Sequence, residues 1–375
     1  MELTPEQQAI QEAVREFSLN EIRPTAEEAD REQVFPEEVW QGLADLDLLG
    51  LNIPEEFGGF GGDRMTYSIV NEEVAYGMLA AATAMSVQYL VNACIDEFGS
   101  DDHREQWLPR LASGKSIGAF CLSEPGAGSN PAQMETEAKR EGDEYVINGK
   151  KQWITNGQRS DVAVVFAKTD RADPRSVTQF LVPKDTPGVE VGKKEDKLGL
   201  RASDTTGLLF DDVRIPAENR LTEEGKGLSA ALSILTGGRI AIASQAVGVA
   251  QSALDEAVSY AQEREQFGNP ISEIQTIQHK LADMQTKVQA GRLLARDAAR
   301  RDDAGEDVQM AASMAKYFAS ENAVQVANQA VQIHGGYGYT TDFPVERMYR
   351  DAKVTTIYEG TSEIQKLVIA RNLLG

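Results

Sequence analysis

The stretch YVINGKKQWIT, residues 145–155, decides how this chain divides. Tyr145, Val146 and Ile147 on one side, and Trp153, Ile154 and Thr155 on the other, are β-branched or aromatic, the residue types that fit a pleated surface. Asn148-Gly149 between them favours positive φ, so the run predicts two strands joined by a tight hairpin turn at that pair. DVAVVFAKT (161–169), TQFLVPK (178–184) and TGLLFDDVRI (206–215) follow, each bounded by Asp, Pro or Gly. A small β domain of sandwich or barrel type is therefore expected over residues 116–225.

The segments on either side have the helical period instead. In the first 115 residues, Ile10, Ala13, Val14 and Phe17 fall at i, i+3, i+4 and i+7, one face of a helix that Pro24 is expected to end. PEEVWQGLADLDLLG (36–50) opens on proline and closes on glycine, as a short helix does. EEFGGFGGDR (55–64) follows no strand and reads as a connector rather than a phosphate cradle. An Ala- and Met-rich helical segment then runs from about 65 to 93. Beyond Gly225 and Gly227, long helices are expected near 228–264, 271–301 and 307–333, separated by QFGNP and RDDAGED. A final helix is expected at SEIQ (362–365), with Ser362 and Gln365 as a capping box. The fold class is thus α+β: an N-terminal helical domain (1–115), a middle β domain (116–225) and a C-terminal bundle of four-helix type (226–375).

Composition narrows the function. Fifty-nine acidic against 37 basic residues give a formal net charge of -22. Such an excess repels polyphosphate backbones and anionic lipid, so neither nucleic acid nor membrane insertion is expected. The carboxylates are scattered, as on a solvated surface; salt adaptation and ordinary acidic composition both account for them. The amphipathic, acidic start MELTPEQQAIQEAVREF is unlike a secretion signal, and a cytoplasmic location is expected. Cys94 and Cys121 have no redox or metal spacing, and His103, His279 and His334 lie far apart, so no metal site is expected.

Two motifs remain. CLSEPGAGSN (121–130) is neither a Rossmann loop nor a P-loop, having Pro131 where the third glycine would stand. Ser123 and Ser129 with Trp153 and Thr155 supply hydroxyls and an aromatic plane suited to a flat, polar-edged ring system; read alone, they are better taken as turn serines and a core tryptophan. In IYEGTSEIQ (357–365), Glu359 stands between an aromatic residue and a glycine. A glutamate just before a helix is also favourable with the helix dipole alone.

CLSEPGAGSN, KQWITNG, REQFGNPI, AVQIHGGYGY, PVERMYRDAK and IYEGTSEIQ occur in the order and spacing of the acyl-CoA dehydrogenase family, which the chain resembles from end to end. The resemblance implies non-covalent FAD, a CoA thioester substrate, and electron-transfer flavoprotein as electron acceptor. It places Phe120, Leu122 and Ser123 along the flavin ring, Ser129 where flavin and thioester approach, and Trp153 with Thr155 on the ring's other side. It assigns Arg264, Phe267, Gln275, Gln332, Gly335 and Gly336 to the adenine and diphosphate portion, gripped across a subunit boundary in a homotetramer built as a dimer of dimers. Thr361 and Glu363 are implied cofactor contacts. Arg239, Tyr358 and Gly360 are implied substrate contacts, Arg239 near the CoA moiety. Glu359 matches the base that removes the α proton while hydride leaves the β carbon. Some relatives carry that base immediately before the arginine that Arg239 matches; here Gly238 stands there, leaving Glu359. The resemblance leaves open an oxidase on the same scaffold and a non-catalytic member.

Overall fold

The computed structural model describes residues 3–375. The N-terminal helices are α1 (Pro5–Phe17), α2 (Arg23–Glu32), α3 (Glu37–Asp45), α4 (Arg64–Gly77), α5 (Leu79–Phe98) and α6 (Asp101–Ala112). Pro24 does not end a helix. A π-helical turn, Ser18–Ile22, joins α1 to α2, and Pro24 occupies the first turn of α2, where a missing N–H costs nothing.

The β domain holds β1 (Gly118–Cys121), β2 (Glu137–Glu141), β3 (Glu144–Thr155), β4 (Val162–Lys168), β5 (Val177–Pro183), β6 (Val189–Lys194) and β7 (Thr205–Pro216) in one sheet. The order is β1-β4-β2-β3-β7-β6, with β5 on β4. The expected hairpin turn at Asn148-Gly149 is absent. Residues 144–155 form one strand, and the turn into it falls earlier, at Gly142 (φ 66°) between β2 and β3. At Gly149 the strand instead carries a register shift against β7, and a Cβ there would stand 2.4 Å from Thr136 Oγ1. The glycine permits a close approach rather than a reversal.

Alternation along β4 explains how this domain docks. Ala163, Val165 and Ala167 face an interior shared with Tyr145, Phe180 and Phe210. Val162, Val164 and Phe166 face the helices, packing with Leu90, Val91, Ile95 and Leu108. A strand buried on both faces reads as a continuous apolar run, as VAVVFA does.

The C-terminal part consists of α7 (Gly227–Glu263), α8 (Gln275–Asp303), α9 (Gln309–His334), α10 (Val345–Ala352) and α11 (Ser362–Leu374), with a small ribbon of β8 (Glu265–Gln266) and β9 (Asn269–Pro270) after α7. Helices before and after the β domain share one core, in which Val70, Val74 and Met85 meet Ile240, Ala246, Val288, Ala319 and Val326. Helix α7 is long and apolar enough to cross a membrane, yet most of its apolar window is buried among its neighbours, as in a core helix. The cap of α11 also differs from expectation. Thr361, not Ser362, accepts from Ile364 N, while Ser362 Oγ donates to Glu321 at 2.6 Å. Gln365 is thereby released for another task.

Candidate active site

After α10 the chain makes a 3-10 turn, Lys353–Thr356, and then reverses into α11 through Glu359 (φ 54°) and Gly360 (φ 90°). Left-handed backbone is unfavourable for a residue with a side chain, by about 1–3 kcal/mol, and persists only where the surroundings hold it. Two buried side chains do so. Gln365 Nε2 donates to Glu359 O at 3.1 Å and to Gly360 O at 2.9 Å, and Lys316 Nζ of α9 donates to Gly360 O at 2.8 Å.

The strained backbone aims the Glu359 side chain at α7. A Cβ built on Gly238 would stand 2.9 Å from Glu359 Oε2, so the missing side chain is what makes room for the carboxyl group. That oxygen is buried and has no hydrogen-bond partner. Beside it lies Arg239, 5% exposed, whose Nε and Nη1 are likewise unpartnered. Burial pushes the Glu359 carboxyl up to about 7, against the opposing pull of Arg239 and Lys316. Burial also lowers the Lys316 ammonium to about 8, with Glu359 holding it up. Arg239, expected near the CoA moiety, is therefore a buried neighbour of the candidate base.

Tyr358 meets α7 about two turns further along. Its hydroxyl donates to Gln245 Oε1 at 3.2 Å, and Gln245 Nε2 donates onward to Asn71 Oδ1 (2.9 Å) and Ala82 O (3.0 Å). Thr83 Oγ1 lies 3.5 Å from the same hydroxyl. This buried network ties α4, α5 and α7 to the turn that carries Glu359.

The β domain contributes a second surface. Trp153 is not a core residue: it is 56% exposed, at φ 59°, in a register shift between Lys151 and Ile154 in the β3–β7 pairing. Phe120 is part-buried with its ring 4.9 Å from Phe166, Leu122 is buried, Ser123 and Thr155 are half-buried, and Ser129 is exposed in the turn. Backbone bonds hold the motifs together, Gln152 N donating to Ser123 O at 3.0 Å. Beneath them Lys151 Nζ, fully buried, donates to Glu124 Oε1 at 2.7 Å and to Leu122 O at 3.3 Å.

The remaining expected residues gather elsewhere. Arg264, Gly335 and Gly336 line a cavity of about 500 Å³ with Tyr260, His334 and Tyr337, and no residue of the β-domain set borders it. Gly335 sits at φ 61° as the C-cap of α9, a backbone that favours glycine. Phe267 projects from the β8–β9 ribbon, 96% exposed at φ 55°. Gln275, Gln332 and Glu363 are exposed, and Thr361 is occupied as a cap. Among the described residues no His, Cys, Asp or Glu cluster suits a metal ion.

These surfaces fit a flat-ringed dinucleotide. An exposed, strained tryptophan beside hydroxyls suits the ring, and an open cavity with a guanidinium and two glycines suits a diphosphate. Three residues that support the Glu359 turn are not legible in that role from the sequence, where Gln365 reads as part of a cap. Lys316, Gln245 and Gln365 sit inside helical runs, and only a polar residue breaking an apolar helical face marks the first two.

Comparison with known proteins places these features in a family. Models of the acyl-CoA dehydrogenase N-terminal, middle and C-terminal domains match residues 4–115, 119–213 and 225–374. The chain is 46% identical over 376 residues to the short-chain specific acyl-CoA dehydrogenase, mitochondrial, of Rattus norvegicus, covering 100% of this chain and 91% of that protein. The butyryl-CoA dehydrogenase of Megasphaera elsdenii superposes with a TM-score of 0.97 at 40% identity, covering 100% of both chains. A chain from a structure of the electron transferring flavoprotein of Acidaminococcus fermentans gives a TM-score of 0.97 at 41% identity, covering 100% of this chain and 99% of that one.

Proposed function

The chain belongs to the acyl-CoA dehydrogenase family of FAD-dependent oxidoreductases, and from that premise we propose that it dehydrogenates short-chain acyl-CoA thioesters between Cα and Cβ with Glu359 as the base. The observation that carries this reading is the Glu359 carboxyl: raised to about 7, one oxygen buried and unpartnered, held by a strained turn against Gly238. A helix-dipole role would need none of that arrangement.

The α proton of a thioester is many units less acidic than a carboxylic acid, and each unit of mismatch costs about 1.36 kcal/mol. Raising the Glu359 pKa narrows the gap from one side. The thioester oxygen must be stabilised from the other, and the Glu359 N–H, which donates to no other group among the described residues, is available for it. Donors fixed at developing charge supply roughly 3–4 kcal/mol in a water-poor site. Bound FAD would supply the two-electron oxidising capacity that loss of hydride from Cβ requires to give the trans-2-enoyl thioester. Trp153, Phe120, Ser123 and Thr155 would hold its ring system. Arg264, Gly335 and Gly336 would hold the diphosphate end, and their separation from the Trp153 surface supports a site completed by a neighbouring subunit in a homotetramer.

Chain length follows from what lies beyond Tyr358. Gln245 is seven residues from Gly238 along α7, about 10 Å. A substrate chain running from Glu359 beside that helix meets the Gln245, Asn71 and Tyr358 network after a few methylenes, and burying more apolar chain would break it. The relatives named for short-chain and butyryl thioesters support the same limit. The match to a chain in an electron transferring flavoprotein structure supports such a flavoprotein as acceptor. An anaerobic absorbance titration of the FAD-loaded protein with acyl-CoAs of increasing length tests this. Butyryl-CoA should bleach the flavin fastest; faster bleaching by long chains, or none by any thioester, overturns it.

A further inference from the structure

The left-handed turn at Glu359 and Gly360 needs something to hold it, and the most unusual group that does so is a buried amine. Lys316 is fully buried on α9, between Ser313 and Ser320 of the same helix, whose hydroxyls have no partners. Its one hydrogen bond goes to Gly360 O, at 2.8 Å. Taking an ammonium out of water costs more than one hydrogen bond to a carbonyl offsets. Gln365 already supplies neutral donors to both carbonyls of the turn, so a hydrogen bond alone does not require a lysine.

We propose that Lys316 is a positioning residue for the Glu359 base, its ammonium both pinning the Glu359-Gly360 turn through the Gly360 carbonyl and holding positive charge against the carboxylate. This rests on the reading of Glu359 as the base. The groups that face Lys316 are Glu359 on the turn, Arg239 on α7, Glu321 on its own helix and Glu363 on α11. Glu321 is engaged by Ser362 and Glu363 is exposed, whereas Glu359 Oε2 has no partner. Arg239 supplies a second cation but no bond to the turn. Lys316 alone couples the backbone that aims the base to the charge that sets its protonation. Removing that charge makes the carboxylate harder to form, so the base titrates at higher pH.

The test compares Lys316→Met and Lys316→Gln with the parent. For each, the anaerobic bleaching rate with butyryl-CoA is followed from pH 5 to 9, and hydrogen exchange across residues 357–361 is followed in the FAD-loaded protein without substrate. Lys316→Met should slow bleaching at neutral pH about tenfold or more, move the rising limb of the rate upward by about one pH unit, and speed exchange at the turn. Lys316→Gln, which keeps a donor without charge, should restore exchange protection yet keep the displaced limb. It also serves if the methionine variant does not fold. A limb and an exchange rate both indistinguishable from the parent in the folded variants overturn the proposal, as does a loss of stability with the limb unmoved. Glu359→Gln, run alongside, tests the base separately. If that variant bleaches at the parent rate the base reading fails, whatever Lys316 does.

Discussion

Two buried acid–base clusters in this molecule are built from the same kinds of residue and have opposite properties. Glu124 sits under the PGAGSN turn with every oxygen engaged. Oε1 accepts from Lys151 at 2.7 Å and from the Thr136 N–H and hydroxyl, and Oε2 accepts from Glu135 N. Burial pushes its pKa up, but Lys151 and these donors more than offset that, leaving it below the ordinary value. Glu359 has two cations nearby where Glu124 has one, yet its Oε2 accepts nothing and its pKa rises to about 7. The difference is not charge but occupancy. A carboxylate whose lone pairs are filled by fixed donors cannot take a proton, and one held beside cations without being bonded to them can. The first cluster is structural, fixing the strand that carries Trp153 to the segment that carries Ser123; the second is poised for chemistry.

The largest effect should come from Glu359→Gln. It should keep FAD and fold while slowing flavin bleaching by butyryl-CoA about 10³-fold or more, beyond what lost positioning alone would give. Bleaching within tenfold of the parent would erase the distinction between the clusters. Next is Lys151→Met, which strands the Glu124 carboxylate and should destabilise the protein by about 3–5 kcal/mol, read as a lowered denaturation midpoint. The double change with Glu124→Gln should recover much of that loss; an unchanged midpoint in the single variant would show that the pair is not structural. Gly238→Ala should do the reverse, sparing stability while pushing the Glu359 carboxyl aside, with bleaching slowed about tenfold; a methyl group 2.9 Å from Oε2 cannot be accommodated in place.

The smallest effect, and the sharpest test of the contrast, is in stability against pH. Glu124, depressed in the fold, contributes stability that is present above its unfolded pKa and lost as pH falls through the folded one. Glu359, raised to about 7, contributes stability that is full below its unfolded pKa and lost as pH rises through about 7. Melting temperatures of Glu359→Gln should therefore exceed the parent's by about a few degrees at pH 8 and converge with it near pH 4. Equal offsets at both pH values would mean that the Glu359 carboxyl titrates normally.

Much of this was legible in the sequence. The long helices follow from apolar periodicity and glycine stops, and β4 from its unbroken apolar run. Six motifs identify the family, and Glu359 stands out because Gly238 leaves no second acid. What escaped reading depends on distant partners. Asn148-Gly149 has the local chemistry of a turn, but pairing with β7 keeps the strand extended, and Thr136 pressing on Gly149 explains the glycine. Pro24 reads as a stop only if the preceding turn is α-helical, and it is π-helical. Ser362 has the chemistry of a cap, yet Glu321, 41 residues earlier, takes its hydroxyl. Trp153 reads by its own chemistry as core and is exposed, because exposure at a register shift is a property of the pairing, not of the tryptophan. Lys316 and Gln245 acquire meaning only when α7, α9 and the Glu359 turn are brought together, which no local pattern encodes.

The central claim is that the Glu359 carboxyl, one oxygen of which is buried and unpartnered, is the proton acceptor. Its most direct test is the anaerobic bleaching rate of the FAD-loaded protein by butyryl-CoA, at subsaturating thioester, measured from pH 5 to 9 for the parent and for Glu359→Gln. The account predicts a rate that rises with pH around a midpoint near 7 in the parent and is low and without that limb in the variant. The same limb and comparable rates in both proteins would contradict it.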